Sequence, residues 1–345
     1  MCGTLIQLSI ESIIMKKYIS ILGFLIVCSC TMGVPNDEIV DEPEDAIVPT
    51  RIQWTSFKTY QCYNVEEFIV HEELWGKGNS IRLNQSMCIF NDVAFAFNDG
   101  RECRAFNINT SESLRTSELP DYSHHNNAQF LDFDIEGETF PVLLLSRGDY
   151  PPSQNELYVV RILEVESVLT FSIIKTIKNE IPAARNNGSW VADTKNNRLF
   201  LYCMSKSDWQ TVEDNVFCIY EFDLPNLKDA SDCTLTMADV RNYWEYKYLI
   251  HQGGTYYNGY LFFNVQSLYS INDYGTIDHM NVLAINADNG KVEAILPLKR
   301  NLETEGICVY DRDLYISFKD GNPIQEQNNI TFQLIRYTLP EQLFE

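Results

Sequence analysis

Positive charge is scarce: 26 lysines and arginines stand against 48 aspartates and glutamates, a net charge of −22 at pH 7. That balance excludes nucleic acid as a partner, because so acidic a chain is repelled by a phosphate backbone. It also excludes binding to anionic lipid through a basic face, which leaves acyl chains as the only membrane anchor. Catalytic signatures are missing as well: there is no Gly-x-Ser-x-Gly, no His-Glu-x-x-His, no P-loop lysine and no dinucleotide fingerprint. No Cys-x-x-Cys or Cys/His spacing points to zinc, so neither metal nor cofactor is expected. Scarcely any segment holds a helical period for three turns, and the apolar run near the N-terminus is too short to cross a bilayer.

That run reads as a lipoprotein export signal over residues 15–29. Lys16 and Lys17 supply the positive start, the ten residues 18–27 the apolar middle, and Ser29 the small residue before Cys30. Cys30 is therefore the expected lipidation site; Cys28, the alternative, would follow bulky Val27. Residues 1–14 lie upstream of the lysines and include Glu11, so translation is expected to start at Met15. Without Lys16, Lys17 and Glu11, 24 basic and 47 acidic side chains remain, a net charge near −23. Residues 30–50 form an acidic tether: Asp37, Glu38, Asp41, Glu42, Glu44 and Asp45 repel one another, and Pro35, Pro43 and Pro49 keep the chain extended. An acidic run directly after a lipidated cysteine resembles the surface-export signal of Bacteroidetes-type lipoproteins. The expected location is the outer membrane, lipid-anchored at the cell surface, or otherwise on the periplasmic face.

Seven cysteines remain after Cys30, namely Cys62, Cys88, Cys103, Cys203, Cys218, Cys233 and Cys308, so at least one is unpaired. Several sit inside apolar runs, where a thiol packs as a small hydrophobe. Buried thiols are the favoured reading, with Cys203–Cys218 and Cys88–Cys103 as candidate cross-strand bridges.

From residue 51 to 345 the pattern is all-β: short aromatic and β-branched runs broken by Asn, Asp and Gly. Only 64–73 and 236–244 suggest short turns of helix. Five inner hairpins repeat, with tight turns at Asn91-Asp92, Glu136-Gly137-Glu138, Lys195-Asn196-Asn197, Asn258-Gly259 and Asp311-Arg312-Asp313. Successive turns are 46, 59, 62 and 53 residues apart, a period that fits four-stranded propeller blades. The phrases Phe106-Asn107-Ile108-Asn109, Phe222-Asp223-Leu224-Pro225, Ile285-Asn286-Ala287-Asp288 and Tyr337-Thr338-Leu339-Pro340 read as third strands running into an outer turn. The expected fold is a β-propeller of five or six four-stranded antiparallel blades, with residues 52–68 completing the last blade or starting a sixth. A β-sandwich or jelly roll is the runner-up.

The export signal, the acidic tether and the spaced blades, including Glu303-Thr304-Glu305-Gly306-Ile307 ahead of Tyr310 and Leu314-Tyr315-Ile316, resemble a family of β-propeller lipoproteins from gut Bacteroidetes. The resemblance implies the fold and the compartment. That family carries no agreed catalytic residues, so it implies none here.

In a propeller the segments leading into the innermost strands converge on the central channel. Here they contribute Gln85, His124, His125, Asn126, Asn187, Trp190, His251, Gln252, Glu303 and Glu305 as candidate ligand contacts at the channel mouth. Trp190 offers a stacking surface for a sugar or ring. His124, His125, His251 and Glu305 make a metal site conceivable, while the plainer reading is that these groups satisfy turn backbones and channel waters. Carboxylate pairs for glycoside cleavage can be drawn from Asp132, Asp193, Glu303 and Glu305. The leading functional reading is a non-catalytic envelope propeller that binds a glycan, a peptide or an envelope protein at the channel mouth. The alternative is a glycan-active lyase or hydrolase using the same mouth. The anchor is directly testable: Cys30→Ser is expected to abolish metabolic labelling with a fatty acid, and label persisting on that variant moves the acceptor to Cys28 or removes the anchor.

Overall fold

Tight turns with left-handed backbone define the strands. Asn91 and Asp92 (φ 48° and 61°), Asn258 and Gly259 (48° and 88°) and Asp311 and Arg312 (48° and 68°) each place two successive residues at positive φ. That is the two-residue turn whose twist matches antiparallel strands, and Asn, Asp and Gly tolerate it best. The computed structural model describes residues 50–52, 61–74, 84–98, 100–121, 124–132, 139–148, 156–181, 186–204, 216–247, 249–267, 281–298, 303–320 and 331–344. The expected turn at 136–138, the tether and Cys30 lie outside them.

Three strands precede the first inner hairpin: β1 (Thr50–Ile52), β2 (Gln61–Cys62) and β3 (Glu67–Leu74). Blade 1 is β4 (Asn84–Phe90), β5 (Val93–Asn98), β6 (Cys103–Asn107) and β7 (Ser113–Thr116); blade 2 is β8 (Ala128–Phe130), β9 (Leu143–Arg147), β10 (Glu156–Val165) and β11 (Val168–Asn179). Blade 3 is β12 (Asn186–Asp193), β13 (Arg198–Met204), β14 (Val216–Asp223) and β16 (Val240–Lys247), while β15 (Cys233–Leu235) pairs back onto β11. Blade 4 is β17 (Leu249–Tyr257), β18 (Tyr260–Ser267), β19 (Asn281–Asn286) and β20 (Val292–Pro297). Blade 5 is β21 (Glu303–Tyr310), β22 (Asp313–Asp320) and β23 (Thr331–Thr338), and its fourth strand is β3. The protein is thus a five-bladed all-β propeller.

Pairing of the early strand β3 with the late strand β23 closes the ring and removes the edge that β23 would otherwise expose. On the way there the chain laces two other blades, β1 running parallel to β16 and β2 parallel to β20. Residues 64–73 are therefore mostly strand rather than helix. At 236–244 the helical signal is real but brief. Thr236 and Asp239 form a reciprocal capping box, which closes the single 3₁₀ turn Met237–Asp239. The chain then continues as β16, where Val240, Trp244 and Tyr246 are buried and anchor the outer strand.

Five hydrophobic clusters hold the ring, one at each blade interface. Leu144, Val159, Leu199 and Phe222 lie between blades 2 and 3; Phe200, Phe217, Phe263 and Leu283 between 3 and 4; Phe262, Ile316, Phe318 and Tyr337 between 4 and 5. Phe95, Phe97 and Tyr158 join blades 1 and 2, and Met87, Phe106, Tyr315 and Leu334 join 5 and 1. Because both faces of a blade are covered, its strands read as continuous apolar runs. In β13, Leu199, Leu201 and Cys203 face blade 2, while Phe200, Tyr202 and Met204 face blade 4.

None of the seven described cysteines is in a disulfide. Neither candidate bridge is present: Cys203 stands opposite Cys218, whereas Cys88 and Cys103 lie on β4 and β6 with β5 between them and are not cross-strand neighbours. Closure by β3 gives a test. A chain starting at Tyr63 keeps the cooperative melt, because it retains buried Val65 and all of β3. One starting at Trp75 exposes β23 and is expected to melt at least about 5 °C lower or to aggregate on size-exclusion chromatography.

Candidate functional site

Each innermost strand starts at one end of the ring, here the leading end, and finishes at the tip end, where the inner hairpins turn. Near the leading end every inner hairpin carries one extra residue. In blade 1, Asn84 pairs with Asn98 but Ser86 with Phe97; in blade 3, Asn186 with Met204 but Ser189 with Tyr202. Blade 4 shifts between His251 and Gly254 and blade 5 between Thr304 and Ile307. Blade 2 does the same outside its short strand, since Ser146 N donates to Asn127 O while Gly148 N donates to His124 O, both at 2.8 Å. Such bulges bend the strand and re-aim its side chains.

The bulges let the five backbones meet near the axis. A β-carbon on Gly253 would lie 2.6 Å from Glu305 O, and one on Gly306 would lie 2.3 Å from Met87 N, so only glycine fits at either place. Asn127 links three blades: its Nδ2 donates to Trp190 O at 2.9 Å, and its Oδ1 accepts from Gly254 N at 3.3 Å. Ser146 Oγ accepts from Trp190 N at 2.9 Å. Farther toward the tip, Gln129 donates to Ala192 O and accepts from Ala192 N, both at 2.8 Å. Side chains of blade 2 thus take the place of a partner strand for the inner edge of β12. In blade 5, Ser317 Oγ accepts from Gly306 N at 2.8 Å.

Against this frame the expected contacts divide. Gln85, His124, Asn126 and Gln252 are half-buried around the bulges. The side chains of Asn187, His251 and Glu303 lie outside the described residues. His125 (1% exposed), Trp190 (1%) and Glu305 (3%) are part of the interior. Trp190 packs into the core between blades 2 and 3 with its ring 6.1 Å from that of Phe222, so it offers no open face for stacking. Among the described residues no group of three or more His, Cys, Asp or Glu side chains is arranged to hold a metal ion.

Two features escaped the sequence reading. At the leading end, Arg147 bridges Glu156 (2.9 Å) and Asp121 (3.3 Å), and Tyr158 donates to Asp121 at 2.6 Å. Burial, then the bond to Asp121, pushes the Tyr158 hydroxyl well above its ordinary pKa. The only hint was an arginine closing the apolar run 142–146. At the tip end a cleft of about 640 Å³ opens across blades 2, 3 and 4, lined by Gln129, Phe130, Asp132, Lys195, Tyr256 and Asn258 among others. The wall toward blade 3 is fixed by a buried ion pair. Arg198 Nη2 holds Asp193 at 2.8 Å, and Arg198 also reaches Asp288 (2.7 Å) and the carbonyl of Ala287 (3.1 Å) in blade 4. Burial raises the Asp193 carboxyl, but hydrogen bonds from Asn196, Arg198 and Tyr256 outweigh it and hold the group below its ordinary value.

His125 gives a pH test. Burial lowers its pKa from 6.5 to about 4, against smaller upward pulls from the carbonyls of Ser146 and Gly100 and from Asp121, with His124 adding to the lowering. A histidine held neutral in the fold binds fewer protons than in the unfolded chain. Its stabilisation is therefore complete above pH 6.5 and is lost as pH falls from there toward 4. Relative to His125→Gln, the native chain is expected to lose about 3 kcal/mol between pH 7 and pH 4 in denaturant melts; equal pH dependence of the two chains would place His125 in solvent.

No protein-family model and no curated protein sequence matches the chain. Among solved structures, glutaminyl cyclase from Myxococcus xanthus is 10% identical, with 80% of this chain and 99% of that one covered at a TM-score of 0.41. A glucose dehydrogenase-type oxidoreductase from Thermus thermophilus is 10% identical, with 78% and 99% covered at 0.44. The exo-β-1,3-galactanase of Phanerochaete chrysosporium is 10% identical, with 81% and 65% covered at 0.43.

Proposed function

We propose that the protein is a non-catalytic, envelope-anchored propeller that binds an extracellular ligand at the tip-end mouth of its ring. The observation that carries this reading is the cleft across blades 2, 3 and 4, where Asp132, Lys195 and Asn258 stand exposed beside the half-buried rings of Phe130 and Tyr256. The leading mouth has less support, because His125, Trp190 and Glu305 are enclosed there and Asn127 is taken up by the backbones of Trp190 and Gly254. Anchoring through Cys30 and exposure at the cell surface rest on the export signal and the acidic tether.

The alternative, a glycan-active hydrolase or lyase, draws on Asp132 and Asp193 lining the same cleft. Hydrolysis needs one carboxyl held protonated, with its pKa raised. Asp193 is displaced the other way and its oxygens are engaged by Arg198 and Asn196, so it does not supply the protonated member of such a pair.

Neutral oligosaccharides and short peptides on an array, followed by titration calorimetry on the strongest binder, test the proposal. Asp132→Ala and Lys195→Ala should each weaken binding about tenfold, roughly 1.4 kcal/mol, without moving the melting temperature. Binding that survives both changes places the site elsewhere, and a released oligosaccharide product installs the enzyme reading.

A further inference from the structure

Among the described cysteines only Cys203 and Cys218 face each other across a strand pair; Cys88 stands opposite Phe95, Cys103 opposite Phe97 and Cys308 opposite Tyr315. The register of β13 and β14 is unbroken from Arg198 and Asp223 to Met204 and Phe217, and one step beyond it Leu224 N donates to Asn197 O at 3.0 Å. Hydrogen-bonded pairs alternate along an antiparallel ladder. Cys203 therefore shares the phase of Asn197 and forms, with Cys218, a hydrogen-bonded pair whose Cα atoms lie about 5.5 Å apart. Disulfides span Cα separations of roughly 4.4–6.8 Å and favour about 5.5–6 Å.

The two sulfurs are unequal. Cys218 Sγ donates to Val216 O at 3.6 Å and lies 3.3 Å from the Tyr243 hydroxyl, which in turn donates to Glu245 at 2.7 Å. Tyr220 stacks on Tyr243 at 4.3 Å with the rings nearly parallel, fixing that hydroxyl. The neighbouring Cys203 thiol draws the Cys218 thiol below its ordinary pKa in spite of burial, while burial pushes Cys203 up.

We infer that Cys203 and Cys218 form the single strand-to-strand disulfide of this propeller when the chain folds in an oxidising compartment. The oxidant is a low-molecular-weight disulfide. The Cys218 thiolate attacks one of its sulfurs, forming a mixed disulfide and expelling one thiolate. Cys203 then loses its proton and attacks the Cys218 sulfur, expelling the second thiolate. Two protein thiols are oxidised and one small disulfide is reduced to two thiols. Both sulfurs are fully buried in the finished ring, so the exchange takes place before blade 2 packs over blade 3. The bond then ties β13 to β14 and closes the loop of residues 204–217 at the leading end.

The test uses the full chain, reduced, unfolded and refolded in a mixture of oxidised and reduced glutathione. The folded monomer is unfolded again in iodoacetamide and mapped by mass spectrometry without reductant. The expected result is a peptide pair linked through Cys203 and Cys218, with Cys88, Cys103 and Cys308 alkylated. In Cys203→Ala the partner sulfur is gone, and Cys218 is expected to be alkylated in the folded monomer. Should refolding yield too little monomer, the same map is made on chain exported into a bacterial periplasm. Alkylation of both Cys203 and Cys218 in folded protein, or linkage of either to another cysteine, overturns the inference.

Discussion

The innermost strand of a blade has a neighbour on only one side, and everything near the axis follows from how its other edge is satisfied. Backbone N–H and C=O groups taken out of water without partners cost several kcal/mol each. For β12 the partners are side chains: Asn127 and Ser146 serve Trp190, and Gln129 serves both groups of Ala192. In blade 5, Ser317 serves Gly306, and Asn264 of blade 4 reaches Glu305 O at 3.5 Å. These contacts draw the backbones together until glycine is required at 253 and 306. Among the described residues these contacts lie toward the leading end, and the cleft described above lies at the tip.

Ring closure distributes the remaining load. Each blade buries both faces, so no strand can shift register by one residue without pushing its whole apolar set toward the wrong neighbour. Polar clasps then fix neighbouring blades against each other at the rim. Arg198 links blades 3 and 4 through Asp193 and Asp288, and Tyr310 of blade 5 donates to Asp92 of blade 1 at 2.9 Å while accepting from its N–H at 3.0 Å. For the buried Arg198–Asp193 pair desolvation offsets much of the attraction, so its main effect is to fix geometry rather than to add net stability.

The turns were legible because a two-residue hairpin turn demands positive φ and few residues supply it. Asn91-Asp92, Asn258-Gly259 and Asp311-Arg312 state that demand openly. Third strands were legible for a related reason: Asn107 and Asn286 end them and accept from the next turn's backbone, as Asn107 does from Asn109 and Thr110. The closing strand was expected within 52–68, whereas β3 spans Glu67–Leu74, most of which read as a turn of helix, because the exposed Phe68 and Ile69 blur the burial pattern that marks a strand. Residues 236–244 carried a true capping box that governs one turn only. The candidate site was the hardest part. An Asn or His beside the axis looks the same in sequence whether it meets a ligand or completes a strand edge, and here Asn127 does the latter. Gln129, which matters equally, sits inside an apolar run and gave no signal at all.

Holding and cleaving make opposite demands on such a scaffold. The cleft's walls are inner-hairpin turns whose backbone is set by positive-φ geometry at Asn258 and Gly259 and by the Arg198 clasp, so the cavity is preformed and a ligand entering it pays little ordering entropy. Catalysis would need, in addition, a group poised to exchange a proton near neutral pH. Of the two carboxylates lining that space, Asp193 is stabilised in its ionised form and is itself part of the clasp that shapes the wall. Freeing it to act as an acid would dismantle the surface it helps to build. The turn geometry and the Arg198 clasp thus fix the shape of this wall before anything enters the cleft.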